Sequence, residues 1–186
     1  LWRFETMGAV QCAPLYDSVE DVVYFGSNDG ALYKVKAPTG ELVWRFNANA
    51  EVNARPVLAD GLVYFVSAND TVLAVKAATG ELVWHQHRAS AAGLEVAGHA
   101  WPLLFHDKVY AAFSTGLVTA FDARTGAERW QPVDLTAEAE QILGDVPQFF
   151  DVDTTPVPDE TDSGAVVYVA SYAAGVYALK AESGGL

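Results

Sequence analysis

The chain has 186 residues, half of them hydrophobic, and carries a formal net charge of −13 at pH 7. Such an acidic balance argues against nucleic acid or an anionic membrane surface as partner, because both are bound through clustered Lys and Arg. Apolar runs are short and interrupted, so none approaches the roughly 18 residues of a membrane-spanning helix. Cys12 is the only cysteine, which excludes an intrachain disulfide, and its apolar surroundings predict a buried side chain.

Four copies of one repeat run along the chain. Three markers recur in each copy: a Tyr in a strand-like run, a Pro that opens a short apolar run, and a Thr-Gly or Ser-Gly pair. The pairs are Thr39-Gly40, Thr79-Gly80, Thr125-Gly126 and Ser183-Gly184, and the tyrosines are Tyr24, Tyr64, Tyr110 and Tyr168. The repeats are also marked by Trp2, Trp44, Trp84 and Trp130, and a spacing of 40 to 46 residues is typical of β-propeller blades.

The clearest copy predicts an antiparallel blade. Segments 22–26, 31–36 and 42–46 are rich in Val, Tyr, Phe and Leu and alternate with period two, as strands do. Asn28-Asp29-Gly30 lies between two of them and predicts a tight hairpin, because these residues tolerate positive φ. A calcium loop is the alternative, although the alternating acidic ligands and distal Glu of such loops are missing. We therefore predict an all-β fold, a β-propeller of four-stranded antiparallel blades.

The repeats divide one predicted domain, residues 1–186. The approximate boundaries are 1–46, 47–86, 87–132 and 133–186, with insertions near 87–98 and 132–150. The chain begins and ends inside a repeat, which favours part of a seven- or eight-bladed propeller, although four blades can also close alone. In an open arrangement, the rest of the propeller or a second copy would cover the two open blade faces.

The second insertion contains a predicted helix. Asp134 or Thr136 can cap its start, the residues that follow are good helix formers, and Gly144 can end it. Phe149-Phe150-Asp151-Val152-Asp153-Thr154-Thr155-Pro156 comes next, with two aromatic residues beside two alternating acids. Because insertions form loops and loops carry binding residues, we expect function at the two insertions.

Candidate ligand-binding residues outside the insertions are few. His85 and His87 lie two apart on a predicted strand, so both project from one face and can share a metal; the alternative is two solvent-facing histidines. A third ligand such as His99 cannot be placed. Equivalent positions of the Trp residues favour packing between blades over stacking on a ligand. We predict no catalytic, cofactor-binding or metal-binding residues.

The repeat resembles a known family. Ala-x-x-Ala-x-Thr-Gly-x-x-x-Trp, present at 74–84 and 120–130, is similar to the quinoprotein (PQQ-type) propeller repeat. This resemblance implies a propeller but leaves function open, because dehydrogenases and non-catalytic scaffolds share the repeat. Residues 151–157 also resemble the Asp-Val-Asp-Thr-Thr-Pro run of the BamB family of outer-membrane assembly lipoproteins, whose eight-bladed propellers bind the periplasmic domains of BamA.

The BamB resemblance implies a partner-binding site. In that family a Leu-x-Leu-Arg-Gly stretch and the two acids form the BamA-binding surface. The corresponding residues here are Leu94 and Val96, which keep the apolar pair, and Asp151 and Asp153, which keep the acids. Ala97 replaces the family's Arg, a departure that removes a charged contact with the partner. The alternative role for the acids is to cap turns at the entry to the blade.

The implied function is a non-catalytic scaffold in the periplasm, tethered to the outer membrane by a lipid anchor upstream of this chain and bound to BamA-like periplasmic domains. Two alternatives stay open. A fragment of a PQQ-dependent dehydrogenase would need a cofactor pocket with calcium ligands and often an adjacent Cys pair, and this chain has one Cys. A ligand-sensing or structural propeller within a larger protein is the second alternative.

Overall fold

A computed structural model of the chain describes residues 1–89, 100–144, 152, 154–172 and 175–186. The chain forms two compact units, Leu1–His87 and Arg88–Leu186. Each unit contains two antiparallel sheets. The all-β fold predicted from the repeats is confirmed.

The first unit consists of two four-stranded meanders. Each sheet keeps its strands in chain order, so neighbouring strands are joined by hairpins. The first sheet contains β1 (Leu15–Asp17), β2 (Val22–Ser27), β3 (Ala31–Lys36) and β4 (Leu42–Asn47). The second contains β5 (Val57–Ala59), β6 (Leu62–Ser67), β7 (Thr71–Lys76) and β8 (Leu82–His87). The three strands predicted in the clearest repeat match β2, β3 and β4.

The second unit contains one four-stranded and one three-stranded sheet among its described residues. The four-stranded sheet is built from β9 (Leu103–Phe105), β10 (Lys108–Ala112), β11 (Leu117–Asp122) and β12 (Val133–Asp134). Helix α1 (Leu135–Leu143) follows. The three-stranded sheet is built from β13 (Val157–Thr161), β14 (Gly164–Ser171) and β15 (Gly175–Lys180).

The predicted hairpin between β2 and β3 is present. Gly30 has a φ of 80°, a conformation that other residues rarely adopt. The carboxylate of Asp29 accepts hydrogen bonds from the backbone N–H groups of Met7 (3.0 Å) and Ala31 (3.2 Å), and from the Tyr33 hydroxyl (2.6 Å). Hydrogen bonds to Asp29 therefore link the turn to the segment that precedes the sheet.

The helix predicted between Asp134 and Gly144 is also present. Asp134 is the cap, and its Oδ1 accepts from the backbone N–H groups of Thr136 (2.9 Å) and Ala137 (3.1 Å). Gly144 ends the helix with a φ of 74° and donates its N–H to the carbonyl of Glu140. Of the two caps that the sequence allowed, Asp134 is therefore the one used.

Each unit has a core in which one sheet packs against the next. In the first unit this core contains Tyr24, Trp44 and Phe65, and the Trp44 indole N–H donates to the Ala77 carbonyl at 3.0 Å. In the second unit the buried Tyr110 hydroxyl donates to the Ala181 carbonyl at 3.0 Å. Burial, together with the nearby carboxylates of Glu182 and Asp107, raises the pKa of Tyr110 to about 12. Both contacts join neighbouring sheets of one unit.

Two further expectations are tested by the fold. Cys12 is buried, as its apolar surroundings predicted, and its sulfur accepts the N–H of Gly26 at 3.1 Å. Among the described helices, none has the length and apolar character needed to cross a membrane.

Candidate interaction surface

The four residues predicted to bind a partner, Leu94, Val96, Asp151 and Asp153, lie outside the described residues, as does Ala97. Their chain neighbours are described. The chain resumes at Ala100 after the first insertion, and at Val152 and Thr154 around the acid pair. The geometry of these neighbours shows how the two insertions are attached to the second unit.

The described residues that follow the two insertions contact each other. The backbone N–H of Trp101 donates to the Thr155 hydroxyl at 3.2 Å, although 54 positions separate the two residues in the chain. Leu94 and Val96 precede Trp101 by seven and five residues, and Asp153 precedes Thr155 by two. The structure thus brings together two described residues that follow the two insertions.

The segment around the acid pair is fixed to the second unit at two points. Val152 is buried in the core of that unit. The Thr154 hydroxyl donates to the Ala170 carbonyl (3.0 Å) and accepts from the Ala170 N–H (3.1 Å). The N–H and the carbonyl of Ala170 therefore both have a hydrogen-bond partner at this edge of β14, as they would beside a paired strand. The positions on either side of Asp153 are therefore held firmly.

One face of the three-stranded sheet is apolar and exposed. Strand pairing places Val157 opposite Tyr168, and these side chains are 57% and 36% exposed; Val176, on the same face of β15, is 73% exposed. Their neighbours on the opposite face, Val167 and Val169, are buried. We call Val157, Tyr168 and Val176 the Tyr168 face. Exposed apolar surface of this kind marks interaction sites.

Two cationic side chains near the four-stranded sheet of the second unit, Arg129 and Lys108, form ion pairs. The Arg129 guanidinium contacts Asp107 (3.1 Å) and Asp122 (2.5 Å), and Lys108 contacts Glu182 (2.8 Å). Hydrogen bonds from Thr125, together with Arg129, lower the pKa of Asp122. Both cations are therefore paired with acids of the same unit.

The sequence prediction that His85 and His87 project from one face is confirmed. Both side chains are exposed and line one cavity of about 430 Å³ in the first unit. Sequence analysis missed the rest of this cavity, including Thr71 and the three carboxamides Asn47, Asn49 and Asn69. No local pattern reveals it, because its walls come from two different sheets.

Repeated antiparallel sheets, with a Trp of one sheet bonded to the backbone of the next, define the class as a β-propeller of the PQQ-like repeat type. The family model described as "Outer membrane protein assembly factor BamB" matches residues 1–186. The chain belongs to this family.

Solved structures share this fold. BamB from Moraxella catarrhalis is 22% identical with a TM-score of 0.73, over 95% of this chain and 48% of that one. The quinohemoprotein alcohol dehydrogenase from Comamonas testosteroni is 18% identical with a TM-score of 0.71, over 96% of this chain and 34% of that one. The computationally designed Ika4 protein is 18% identical with a TM-score of 0.65, over 95% and 93% of the two chains. This chain therefore spans about half the length of the BamB that it matches.

No curated protein matches the chain in a sequence comparison.

Proposed function

We propose that this chain is a non-catalytic scaffold that binds a protein partner in the periplasm and assists the assembly of outer-membrane proteins. The observation that carries the proposal is the match of the BamB family model over residues 1–186. A rigid set of blades suits this role, because it presents loops at fixed positions without any chemistry of its own. Tethering by an upstream lipid anchor, and a longer propeller of seven or eight blades, belong to the same proposal.

The proposed binding surface contains Leu94, Val96, Asp151 and Asp153. Acids at alternate positions of an extended segment project to the same side, where they can pair with Lys or Arg of a partner. Leu94 and Val96 supply the apolar contact that binding sites need beside such charges. The hydrogen bond between Trp101 and Thr155 supports one shared surface, because it joins the chain neighbours of both pairs.

Ala97 stands where the family has an Arg, and this difference limits the contacts that the proposed partner can make. A methyl group cannot replace the bidentate contact of the family's Arg with a carboxylate. The proposed contact thus depends on the two acids and the apolar pair alone. We therefore propose BamA-like periplasmic domains that meet this surface with basic side chains.

Binding to an immobilised BamA periplasmic segment tests the proposal. Asp151→Arg and Asp153→Arg should each weaken binding at least tenfold, while their melting temperatures stay within a few degrees of the parent chain. Asp162→Arg is the matched control, since it reverses one exposed acid in the hairpin between β13 and β14 and should bind as the parent does. Unchanged binding by both acid variants would remove these residues from the site. A large loss of thermal stability would instead favour the turn-capping role.

A dehydrogenase is the second candidate, because the chain shares its fold with a quinohemoprotein alcohol dehydrogenase. Adding pyrroloquinoline quinone and Ca²⁺ to the purified chain and recording its absorption spectrum separates the two functions. The scaffold proposal expects no bound chromophore after gel filtration. A stoichiometric chromophore, together with oxidation of an alcohol, would replace the scaffold by an enzyme.

A further inference from the structure

The pairing of β7 with β8 places two histidines side by side on one face of the second sheet. Thr71 pairs with His87 and Leu73 pairs with His85, so all four side chains project to the same side. Residues two apart on a strand are the nearest neighbours along one face. Imidazoles at this spacing are therefore in position to bind a common ion.

The cavity on this face contains no charged side chain. Its lining residues are Phe46, Asn47, Ala48, Asn49, Asn69, Thr71, Leu73, Leu82, His85 and His87. In a chain with a net charge of −13, this uncharged lining sets the cavity apart from the acidic surface. The two imidazoles are consequently its strongest donors to a metal ion, and the surrounding negative field attracts cations toward it.

Thr71 holds one of the two rings in place. The Oγ1 atom of Thr71 lies 3.1 Å from Nδ1 of His87, and the Thr71 side chain is buried. When the His87 Nδ1–H donates to this hydroxyl, the Nε2 lone pair is left for a ligand. Metal-binding histidines are commonly oriented in this way by a hydrogen bond from the other ring nitrogen.

We infer that His85 and His87 form a two-imidazole site for a late divalent transition-metal ion, with Cu²⁺ bound most tightly. Imidazole suits Cu²⁺, Ni²⁺ and Zn²⁺, and the general affinity order of divalent ions places Cu²⁺ first. Within the described ranges, no group of three or more His, Cys, Asp and Glu is placed to hold a metal. The site is thus a two-ligand chelate with open coordination positions.

We expect water to complete the coordination at those open positions. The Oδ1 atom of Asn47 already accepts the backbone N–H of Asn49 at 3.1 Å, and Oδ1 of Asn69 accepts the Ser67 hydroxyl at 2.7 Å. These two carboxamide oxygens are therefore engaged within the protein. A metal held by two imidazoles and water exchanges readily and stays accessible to an additional ligand from solution.

The first sheet provides a natural control for this site. The same register positions there are occupied by Arg45, opposite Tyr33, and Asn47, opposite Ala31. Arg45 donates to the Tyr33 hydroxyl at 3.1 Å and offers no lone pair to a metal. The double variant His85→Arg with His87→Asn copies these residues into the second sheet, so it removes both ligands with side chains that this strand type already carries.

Calorimetric titration of the full chain, without a histidine tag, tests the inference. Cu²⁺ is added in a buffer containing glycine as a competing ligand, and we expect one ion per chain. His85→Gln and His87→Gln should each weaken binding at least about tenfold, and the double variant should abolish it. Electron paramagnetic resonance of the copper complex should show coupling to two imidazole nitrogens, and Ni²⁺ and Zn²⁺ should bind more weakly than Cu²⁺.

Two further variants keep the result interpretable. Thr71→Val preserves shape but removes the hydroxyl that orients His87, and it should weaken Cu²⁺ binding about tenfold while the two-nitrogen spectrum persists. His106→Gln changes an exposed histidine of the second unit, paired with Glu160, and should leave Cu²⁺ binding unchanged. Stoichiometric binding that survives in the double variant, or the absence of binding in the parent chain at micromolar Cu²⁺, would overturn the inference. Melting curves confirm that each variant is folded.

Discussion

The indole ring of Trp44 lies directly against the α-carbon of Gly80. A methyl group built on Gly80 would stand 2.9 Å from Cδ2 of this ring, which is closer than side-chain atoms can approach. Gly80 also has a φ of 72°, and the Trp44 indole N–H donates to the carbonyl of Ala77 nearby. The Trp and the Ala-x-Thr-Gly turn of the repeat are therefore two halves of one contact between consecutive sheets.

Replacing Gly80 by Ala tests this contact. Gly61→Ala is the matched control, because Gly61 has a similar φ of 76° but open space where its Cβ would lie. Both substitutions place an alanine in the left-handed backbone region, which costs roughly 1–2 kcal/mol. Gly80→Ala should lose about 1–3 kcal/mol more, from displacement of the Trp44 ring. Urea unfolding followed by tryptophan fluorescence measures the difference; equal losses would mean that the ring contact adds nothing.

The contribution of the repeated tyrosine to stability should depend on the repeat in which it lies. Tyr110→Ser removes a fully buried ring and its hydrogen bond to Ala181, so we expect a loss of roughly 3–5 kcal/mol in the free energy of unfolding. Tyr168→Ser changes the same repeat position on the exposed Tyr168 face and should cost less than about 1 kcal/mol.

Tyr168→Ser also tests whether the Tyr168 face mediates self-association of the chain. Sedimentation velocity at high concentration should show less self-association for Tyr168→Ser than for the parent chain, because the variant reduces exposed apolar surface. A loss of stability comparable to that of Tyr110→Ser would show that the face is covered in solution.

Capping of α1 by Asp134 should be measurable. Asp134→Ala removes the acceptor for the N–H groups of Thr136 and Ala137, and we expect a loss of about 1 kcal/mol. Asp134→Asn keeps an acceptor oxygen and should retain most of the stability. Thermal unfolding of the two variants provides the comparison, and equal losses for Ala and Asn would argue against the cap.

Asp29 should contribute to acid sensitivity. Burial opposes its charge, but hydrogen bonds from the Tyr33 hydroxyl, Met7 N–H and Ser27 outweigh that effect, so the pKa of Asp29 is lowered. A lowered folded-state pKa stabilises the protein above the unfolded pKa of roughly 4, and this stabilisation is lost as pH falls through the folded value. Asp29→Asn should therefore cost about 1–2 kcal/mol at pH 7 and less at pH 3.

Urea unfolding at both pH values measures that difference, with Asp162→Asn as an exposed control from the hairpin between β13 and β14. The control should change the free energy of unfolding little at either pH. A cost of Asp29→Asn that is the same at pH 7 and pH 3 would contradict the role of its charge.

Local patterns predicted the elements of this fold well. Strand segments 22–26, 31–36 and 42–46 correspond to β2, β3 and β4, and the helix expected from Asp134 to Gly144 is α1. Hydrophobic alternation, turn residues and helix caps involve residues only a few positions apart, so the sequence alone is enough to recognise them. Leu94, Val96, Asp151 and Asp153 stay predictions that the binding experiment tests.

Apart from the packing of the repeated Trp residues, contacts between residues far apart in the chain could not be predicted from the sequence. Trp101 bonds to Thr155, 54 positions further along the chain, and no spacing rule links these two residues. The cavity beside His85 has walls from two sheets, so no single copy of the repeat contains it.

By itself, the sequence determined the repeat, the strands and hairpins within it, and the residues that pack one sheet on the next, because these depend on local periodicity and on residue type. Only the tertiary structure decided which copy of a repeated residue is buried. Tyr110 and Tyr168 occupy the same repeat position, but the first is covered by the neighbouring sheet of its unit and the second is exposed. Whether a residue is buried depends on what packs against it, and its packing partners are set by the three-dimensional arrangement of the sheets.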